Sequence, residues 1–84
     1  MNAMNAEVRM HDTVALLEDV PAKHFLTGQP LMLRRGQVGT VVMTYDDSAF
    51  EVEFSGRDGR AYAILPVKAE RLMALRETPE TIAT

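Results

Sequence analysis

The side chains able to do acid–base or nucleophilic chemistry in this sequence are few and scattered. The two histidines, His11 and His24, stand beside a terminal arm and in a long loop, where a lone histidine is usually only solvated. Ser48 and Ser55 lie in turn-forming stretches, where serine hydrogen-bonds the local backbone, and neither has a nucleophile elbow around it. The sequence therefore predicts no catalytic site, and we expect no enzyme activity.

Acidic residues and glycines form no recognisable ligand motif. Asp46, Asp47 and Asp58 would supply oxygen ligands, but calcium loops place several carboxylates at alternate positions, and two adjacent aspartates are typical of a turn. No glycine is followed by the Lys-Ser or Lys-Thr pair of a phosphate loop. The chain has no cysteine, which excludes disulfides and thiolate metal sites. We expect neither a metal nor a cofactor.

The arginines provide one candidate binding surface. Two of them belong to a predicted loop and two to a predicted hairpin: Arg34, Arg35, Arg57 and Arg60. With Tyr45 or Tyr62 nearby, they would form a cationic and aromatic surface for an acidic peptide, or for RNA through base stacking. The alternative is that they are ordinary solvated turn charges, offset by Glu51 and Glu53.

A second candidate surface is apolar. Residues 20–36 contain two prolines and two glycines, too many for a long helix or a central strand, so they predict a long connecting loop. A fully solvated loop would not need its apolar residues, which are Phe25, Leu26, Leu31, Met32 and Leu33. The loop either folds back over one mouth of the core or, where it is uncovered, presents a docking site for a partner.

Composition and charge narrow the class of protein. The chain has 84 residues, with 12 acidic and 9 basic side chains and a net charge of -3. Nucleic acid is disfavoured as a partner, because its binders need a cationic surface. The sequence shows neither a signal peptide nor the roughly 20 apolar residues of a membrane span. Together with the lack of cysteine, this predicts a cytoplasmic protein with no membrane association.

Short strands must position these residues. Runs of β-branched and apolar residues separated by turn residues predict strands at 13–17, 38–45, 50–54, 60–65 and 72–75. Phe50, Val52 and Phe54 alternate with two glutamates, so one face of that strand is expected to be buried. Residues 55–59 predict a tight hairpin, and Pro66 is expected to end the fourth strand before a single 3₁₀ turn.

This order of elements predicts an all-β domain, a small five-stranded barrel over residues 12–76. Residues 1–11 are expected to form a flexible N-terminal arm, and residues 77–84 a disordered tail. A core of this size supplies about 3–5 kcal/mol of net stability, so a partner would stabilise the fold appreciably.

The motif Gly-Gln-Val-Gly-Thr-Val-Val at 36–42, followed by Tyr45 and by Phe-Glu-Val-Glu-Phe at 50–54, resembles a group of small, uncharacterised bacterial proteins classed as a domain of unknown function. The likeness extends over residues 12–75. The resemblance implies an SH3-like barrel with a long first loop and one 3₁₀ turn before the last strand. Gly36 and Gly39 are then architectural residues. The resemblance implies no settled activity, and suggests small protein partners in the style of toxin–antitoxin operons.

Two functional hypotheses follow. The first is a protein-interaction module that binds a partner protein, encoded nearby, through residues 22–33 and a neighbouring sheet edge, as an antitoxin-like or immunity-like regulator. The alternative is an RNA- or DNA-binding barrel that uses the four arginines, which rests on analogy between folds. The oligomeric state stays open, since a short edge strand at 72–75 would also allow a homodimer.

Overall fold

The computed structural model describes residues 8–46 and 48–83, in which all regular structure is β-strand apart from one 3₁₀ helix. The strands are β1 Thr13–Leu16, β2 Val20–Lys23, β3 Pro30–Leu33, β4 Val38–Tyr45, β5 Ala49–Ser55, β6 Ala61–Lys68 and β7 Leu72–Ala74. The 3₁₀ helix, Ala69–Arg71, directly precedes the last strand. The all-β prediction is confirmed. No helix in the described residues is long and apolar enough to cross a membrane.

Five of the strands form one antiparallel sheet. Its order is β6-β5-β4-β1-β7, while β2 and β3 form a separate two-stranded sheet. Strands β6 and β7 are therefore the two edges of the larger sheet, and no ladder joins them within the described residues. The sheet is open, so the closed barrel that we expected does not form through hydrogen-bonded ladders.

Residues 20–33 form a β-hairpin, so the prediction of a long first loop is wrong. Strands β2 and β3 pair along their whole length. Just beyond them the N–H of His24 donates to the carbonyl of Gln29, which sets the alternation of hydrogen-bonded pairs along the ladder. By that alternation Pro21 and Pro30 occupy non-hydrogen-bonded pairs. A proline there removes no ladder hydrogen bond, and the two prolines are compatible with a strand.

Pro66 lies inside β6, so the prediction that it ends a strand is also wrong. It stands opposite Glu51 of β5. The N–H of Ala69 donates to the carbonyl of Ser48 at the end of this ladder, and the alternation places the nitrogen of Pro66 on the outer side of an edge strand. Proline interrupts an interior strand, but at this edge position it removes no bond to β5.

The packed part of the chain begins earlier than residue 12. Val8 is buried in the core, and the N–H of His11 donates to the carbonyl of Val41. Residues 1–7 of the expected arm lie outside the described residues. At the other end, residues 75–83 contain neither helix nor strand and are exposed, and Thr84 lies outside the described residues.

The core lies between the inner face of the five-stranded sheet and the β2–β3 hairpin. Its largest fully buried side chains are Phe54, Leu16, Leu33, Val14, Val41 and Val52. On β5, Phe50, Val52 and Phe54 are buried and alternate with half-buried glutamates, as the sequence predicted. The hairpin contributes Val20 and Leu33 from its inner side. The hairpin thus closes the core that an open sheet would leave exposed.

At Gly39, β4 leaves no room for a side chain above the buried residues of β5. A Cβ atom at this position would lie 2.7 Å from Cγ1 of Val52 and 2.9 Å from the ring of Phe54. Further along β4, the ladder with β5 has a bulge between Val41 and Met43. A side chain at residue 39 would meet two buried side chains, which is consistent with the architectural role expected of this glycine.

Candidate partner-binding site

The β2–β3 hairpin ends in a tip, residues 24–29, whose backbone is tied internally. The N–H groups of His24 and Gly28 donate at 2.8 Å to the carbonyls of Gln29 and His24, respectively. The N–H of Leu26 donates to Nδ1 of His24 at 3.1 Å. Gly28 has a φ of 77°, a left-handed conformation that favours glycine. The tip therefore has a defined shape, although it stands in solvent.

Two apolar side chains project from this tip. Leu26 is 76% exposed and Phe25 is 48% exposed. The ring of Phe25 stacks on the imidazole of His24, with centroids 5.8 Å apart and the planes 4° from parallel. Met32, on the outward side of β3, is exposed as well. The tip thus presents a leucine to solvent beside a stacked aromatic pair.

Tyr62 attaches the tip to the edge of the five-stranded sheet. The N–H of Phe25 donates to the carbonyl of Tyr62 at 3.0 Å. The side-chain amide of Gln37 donates to the hydroxyl of Tyr62, which ties the start of β4 to the same residue. Tyr62 stands where the register between β5 and β6 shifts. A bulge leaves a residue without a ladder partner, so its carbonyl is free to bind the hairpin.

A cleft of about 360 Å³ lies between the tip and the β5–β6 turn. Its lining residues are His24, Leu26, Gly56, Asp58, Arg60, Ala61 and Tyr62. This volume is at the lower end of the range for sites that take small ligands. The lining includes the apolar Leu26, the aromatic ring of Tyr62, the cation of Arg60 and the anion of Asp58.

The β5–β6 turn holds the other side of the cleft, and the prediction of a tight hairpin there is confirmed. The N–H of Gly59 donates to the carbonyl of Gly56 at 3.0 Å, and the N–H of Gly56 donates to the carbonyl of Arg60 at 2.9 Å. Oδ1 of Asp58 accepts the N–H of Arg60 at 3.0 Å. This turn carries Arg57 and Arg60 at the exposed end of the sheet.

Arg34 and Arg35 lie in the turn between β3 and β4, at the same end of the sheet, because the start of antiparallel β4 runs beside the end of β5. Asp19 fastens this turn. Its Oδ1 accepts the N–H of Arg35 at 2.8 Å, and its Oδ2 accepts Nη1 of Arg34 at 3.1 Å. The structure therefore brings the four arginines to one end, with the charge of Arg34 paired.

The two hydrogen bonds that Asp19 accepts from Arg34 and Arg35, which we call the Asp19 clamp, should weaken in acid. The N–H of Arg35, and then the guanidinium of Arg34, lower the pKa of the Asp19 carboxyl from 3.8. A lowered pKa in the folded state contributes stability above the unfolded-state pKa, and this contribution is lost as pH falls through the folded value. We expect an NMR titration of the Asp19 carboxyl to have its midpoint below 3.8, with the Arg35 amide shift following it. A midpoint at or above 3.8 would contradict the clamp.

Tyr45 lies far from the arginines. It is the last residue of β4, at the opposite end from the turn of Arg34, and a strand of that length spans about 23 Å. Its hydroxyl donates to Oε1 of Glu51 at 2.7 Å, and this bond to a carboxylate raises the pKa of Tyr45. Of the two tyrosines considered with the arginines, the structure places Tyr62 in the cleft.

Leu31 belongs to the packed interior of the hairpin and not to its exposed surface. It is half-buried on the inner side of the hairpin and packs against the core, whereas its neighbour Met32 faces outward. Substitution of Leu31 would therefore disturb the hairpin as well as any partner contact. Of the apolar candidates, Phe25, Leu26 and Met32 are the accessible ones.

The remaining chemistry-bearing side chains do not converge. Oδ1 of Asp46 accepts both the N–H and the hydroxyl of Ser48 at 2.7 Å, as expected of a turn, and Asp47 lies outside the described residues. In residues 8–46 and 48–83, no group of three His, Asp or Glu side chains lies close enough to hold a metal ion.

Comparison with protein families gives a match over most of the chain. A model described as Domain of unknown function (DUF4926) matches residues 10–74. The chain belongs to the DUF4926 family. No curated protein and no solved structure matches it. The DUF4926 match includes every residue that lines the cleft and ends before the exposed tail.

Sequence reasoning did not identify the cleft of this DUF4926 chain. It named Leu26 and Arg60 for two separate surfaces, and the structure places them in one lining together with Tyr62. Finding the cleft required knowing that residues 20–33 form a ribbon that returns to β6. The sequence did contain one signal of this ribbon. In this segment, residues that face inward alternate with residues that face outward, and both prolines are among the outward ones.

Proposed function

We propose that the chain is a protein-interaction module whose partner contacts the tip of the β2–β3 hairpin and the cleft beside it. One observation carries this: Leu26 is 76% exposed on a tip whose backbone is held by internal hydrogen bonds and by Tyr62. Because the backbone of the tip is already ordered, binding costs little backbone freedom, and the leucine side chain gains by leaving water.

The architecture is proposed to be related to the SH3-like barrels. Support comes from the order of elements: a first strand, a long hairpin, three antiparallel strands joined by short turns, a 3₁₀ helix and a last strand that returns to β1. The bond from Phe25 to Tyr62 brings the hairpin against the β6 edge. In such an arrangement the hairpin borders the binding surface.

The biological setting is proposed to be a bacterial cytoplasm, where the module acts as an antitoxin-like or immunity-like regulator of a protein encoded nearby. The absence of cysteine suits a reducing compartment. A small domain with a limited core gains stability when a partner binds its folded state, which is how such a regulator would be controlled by its partner.

RNA or DNA binding is the second candidate. The observation that favours it is the placement of Arg34, Arg35, Arg57 and Arg60 at one end of the sheet, with Tyr62 nearby. Two facts weaken this candidate: Arg34 is paired with Asp19, and the whole chain has a net charge of -3. Nucleic-acid binding would weaken steeply with added salt, as phosphate contacts release counterions.

The test is affinity capture of the tagged chain from its native cell extract, with and without nuclease, followed by mass spectrometry. We expect one protein to be retained after nuclease treatment. We also expect Arg35→Glu combined with Arg57→Glu, two residues outside the cleft lining, to leave this protein bound. Retention of nucleic acid that both nuclease and the arginine changes remove would establish the second candidate instead. Retention of no protein would contradict the proposal.

A further inference from the structure

The five-stranded sheet has a second face, turned away from the core, which we call the outer face. Side chains alternate between the two faces of a strand, so the neighbours of the buried residues point outward. Six exposed large apolar side chains occupy this face or its rim: Val38, Met43, Tyr45, Ile64, Met73 and Leu75. An apolar surface of this kind on a small domain indicates an interaction site.

The charge on the outer face is mainly negative. Glu51 and Glu53 stand on β5, an interior strand, with apolar Met43 and Ile64 among their cross-strand neighbours. Both glutamates are half-buried. Lys68, at the end of β6, is the one basic residue at the outward positions of β4, β5 and β6. The face therefore presents two carboxylates within apolar surroundings.

One of these carboxylates is held in a fixed orientation. The hydroxyl of Tyr45 donates to Oε1 of Glu51 at 2.7 Å. The bond uses one oxygen of the carboxylate and restricts the glutamate side chain, while a carboxylate can accept several further bonds. A carboxylate that is oriented before binding loses less freedom when a cation approaches it.

From these observations we propose that the outer face is a second protein-binding surface, which takes an extended segment carrying lysine or arginine between apolar side chains. The cations would pair with Glu51 and Glu53, and the apolar side chains would cover Val38, Met43 and Ile64. A second copy of the same face does not fit, because a two-fold contact would bring the carboxylates of both copies together. Nucleic acid is excluded by the same charge.

The test uses a synthetic peptide, Ac-Lys-Thr-Leu-Thr-Lys-Thr-Leu-NH₂, which presents lysine and leucine on one side of a strand. Amide shifts of the labelled full chain are followed by NMR during titration. We expect saturable shifts centred on β4, β5 and β6 at their outward residues. The peptide with glutamate in place of lysine should not bind. Binding that is absent, or shifts centred on the hairpin tip, would overturn the proposal.

A matched pair of double variants isolates the charge on the face. The double variant Glu51→Gln with Glu53→Gln should lower the affinity for the peptide about tenfold. Glu70→Gln with Glu80→Gln changes the net charge equally at exposed positions outside the face, and should leave the affinity within about twofold. Equal weakening in both pairs would mean that only overall charge matters, and the outer face would then not be the site. Thermal unfolding of each variant verifies that the fold is intact.

Discussion

Replacing Phe54 with alanine is expected to remove most of the stability of the fold. Phe54 is fully buried, and its ring fills the space that a side chain at residue 39 would need. Truncation of a buried phenylalanine costs about 3–5 kcal/mol, because the lost burial is joined by the energy of the cavity that remains. A domain of this size has only about 3–5 kcal/mol of net stability. Phe54→Ala should therefore be partly or wholly unfolded at 25 °C.

Urea denaturation followed by circular dichroism measures this loss, and Phe25→Ala is the matched control. The same atoms are removed there from a ring that is 48% exposed, so we expect a loss of at most about 1 kcal/mol. If the two variants lose similar stability, the assignment of Phe54 to the core and of Phe25 to the surface is wrong.

Gly39→Ala is expected to destabilise the fold by about 1–3 kcal/mol through overpacking. The added methyl group would lie 2.7 Å from Cγ1 of Val52 and 2.9 Å from the ring of Phe54, closer than side-chain carbons approach. Because the neighbouring atoms belong to buried side chains, they have little room to move. In urea denaturation we expect the midpoint to fall, while the slope of the unfolding free energy against urea concentration stays unchanged.

Two further variants separate overpacking from a general loss of backbone freedom. Gly56→Ala places its methyl group 3.3 Å from a side-chain oxygen of Asp58 in an exposed turn, so it should cost much less than Gly39→Ala. Val52→Ala makes room beside Gly39, and the double variant should lose less stability than the sum of the two single losses. Strict additivity would show that the methyl group does not meet Val52.

The sequence predicted the strands of the five-stranded sheet well, but it missed the β2–β3 hairpin and the extension of β6 through Pro66. Strand β4 spans residues 38–45, as predicted, because its β-branched residues lie between a glycine and an aspartate turn. Pro21, Pro30 and Pro66 were interpreted as interruptions, and each lies in a strand at a position that needs no ladder N–H. Whether a proline is tolerated depends on the pairing partner, which local sequence does not show.

Binding surfaces were the least predictable part, because they depend on register and on which end of a strand faces which loop. Tyr45 ends β4, whereas Arg34 lies in the turn that precedes β4, so the length of the strand separates them. Leu26 and Arg60 are distant in sequence, yet they line one cleft. Val8 belongs to a short segment without a periodic pattern, and only its packing against the sheet identifies it as a core residue.

The most direct test of the proposed function is the affinity of the captured partner protein for two variants, measured by calorimetry. Leu26→Asp changes the hairpin tip, and Ile82→Asp makes the same kind of change at an equally exposed position in the tail. We expect Leu26→Asp to weaken binding tenfold or more, or about 1.4 kcal/mol, as for a central interface residue. Ile82→Asp should bind with the affinity of the unchanged chain. Equal affinities for the two variants would show that the partner does not bind at the hairpin tip.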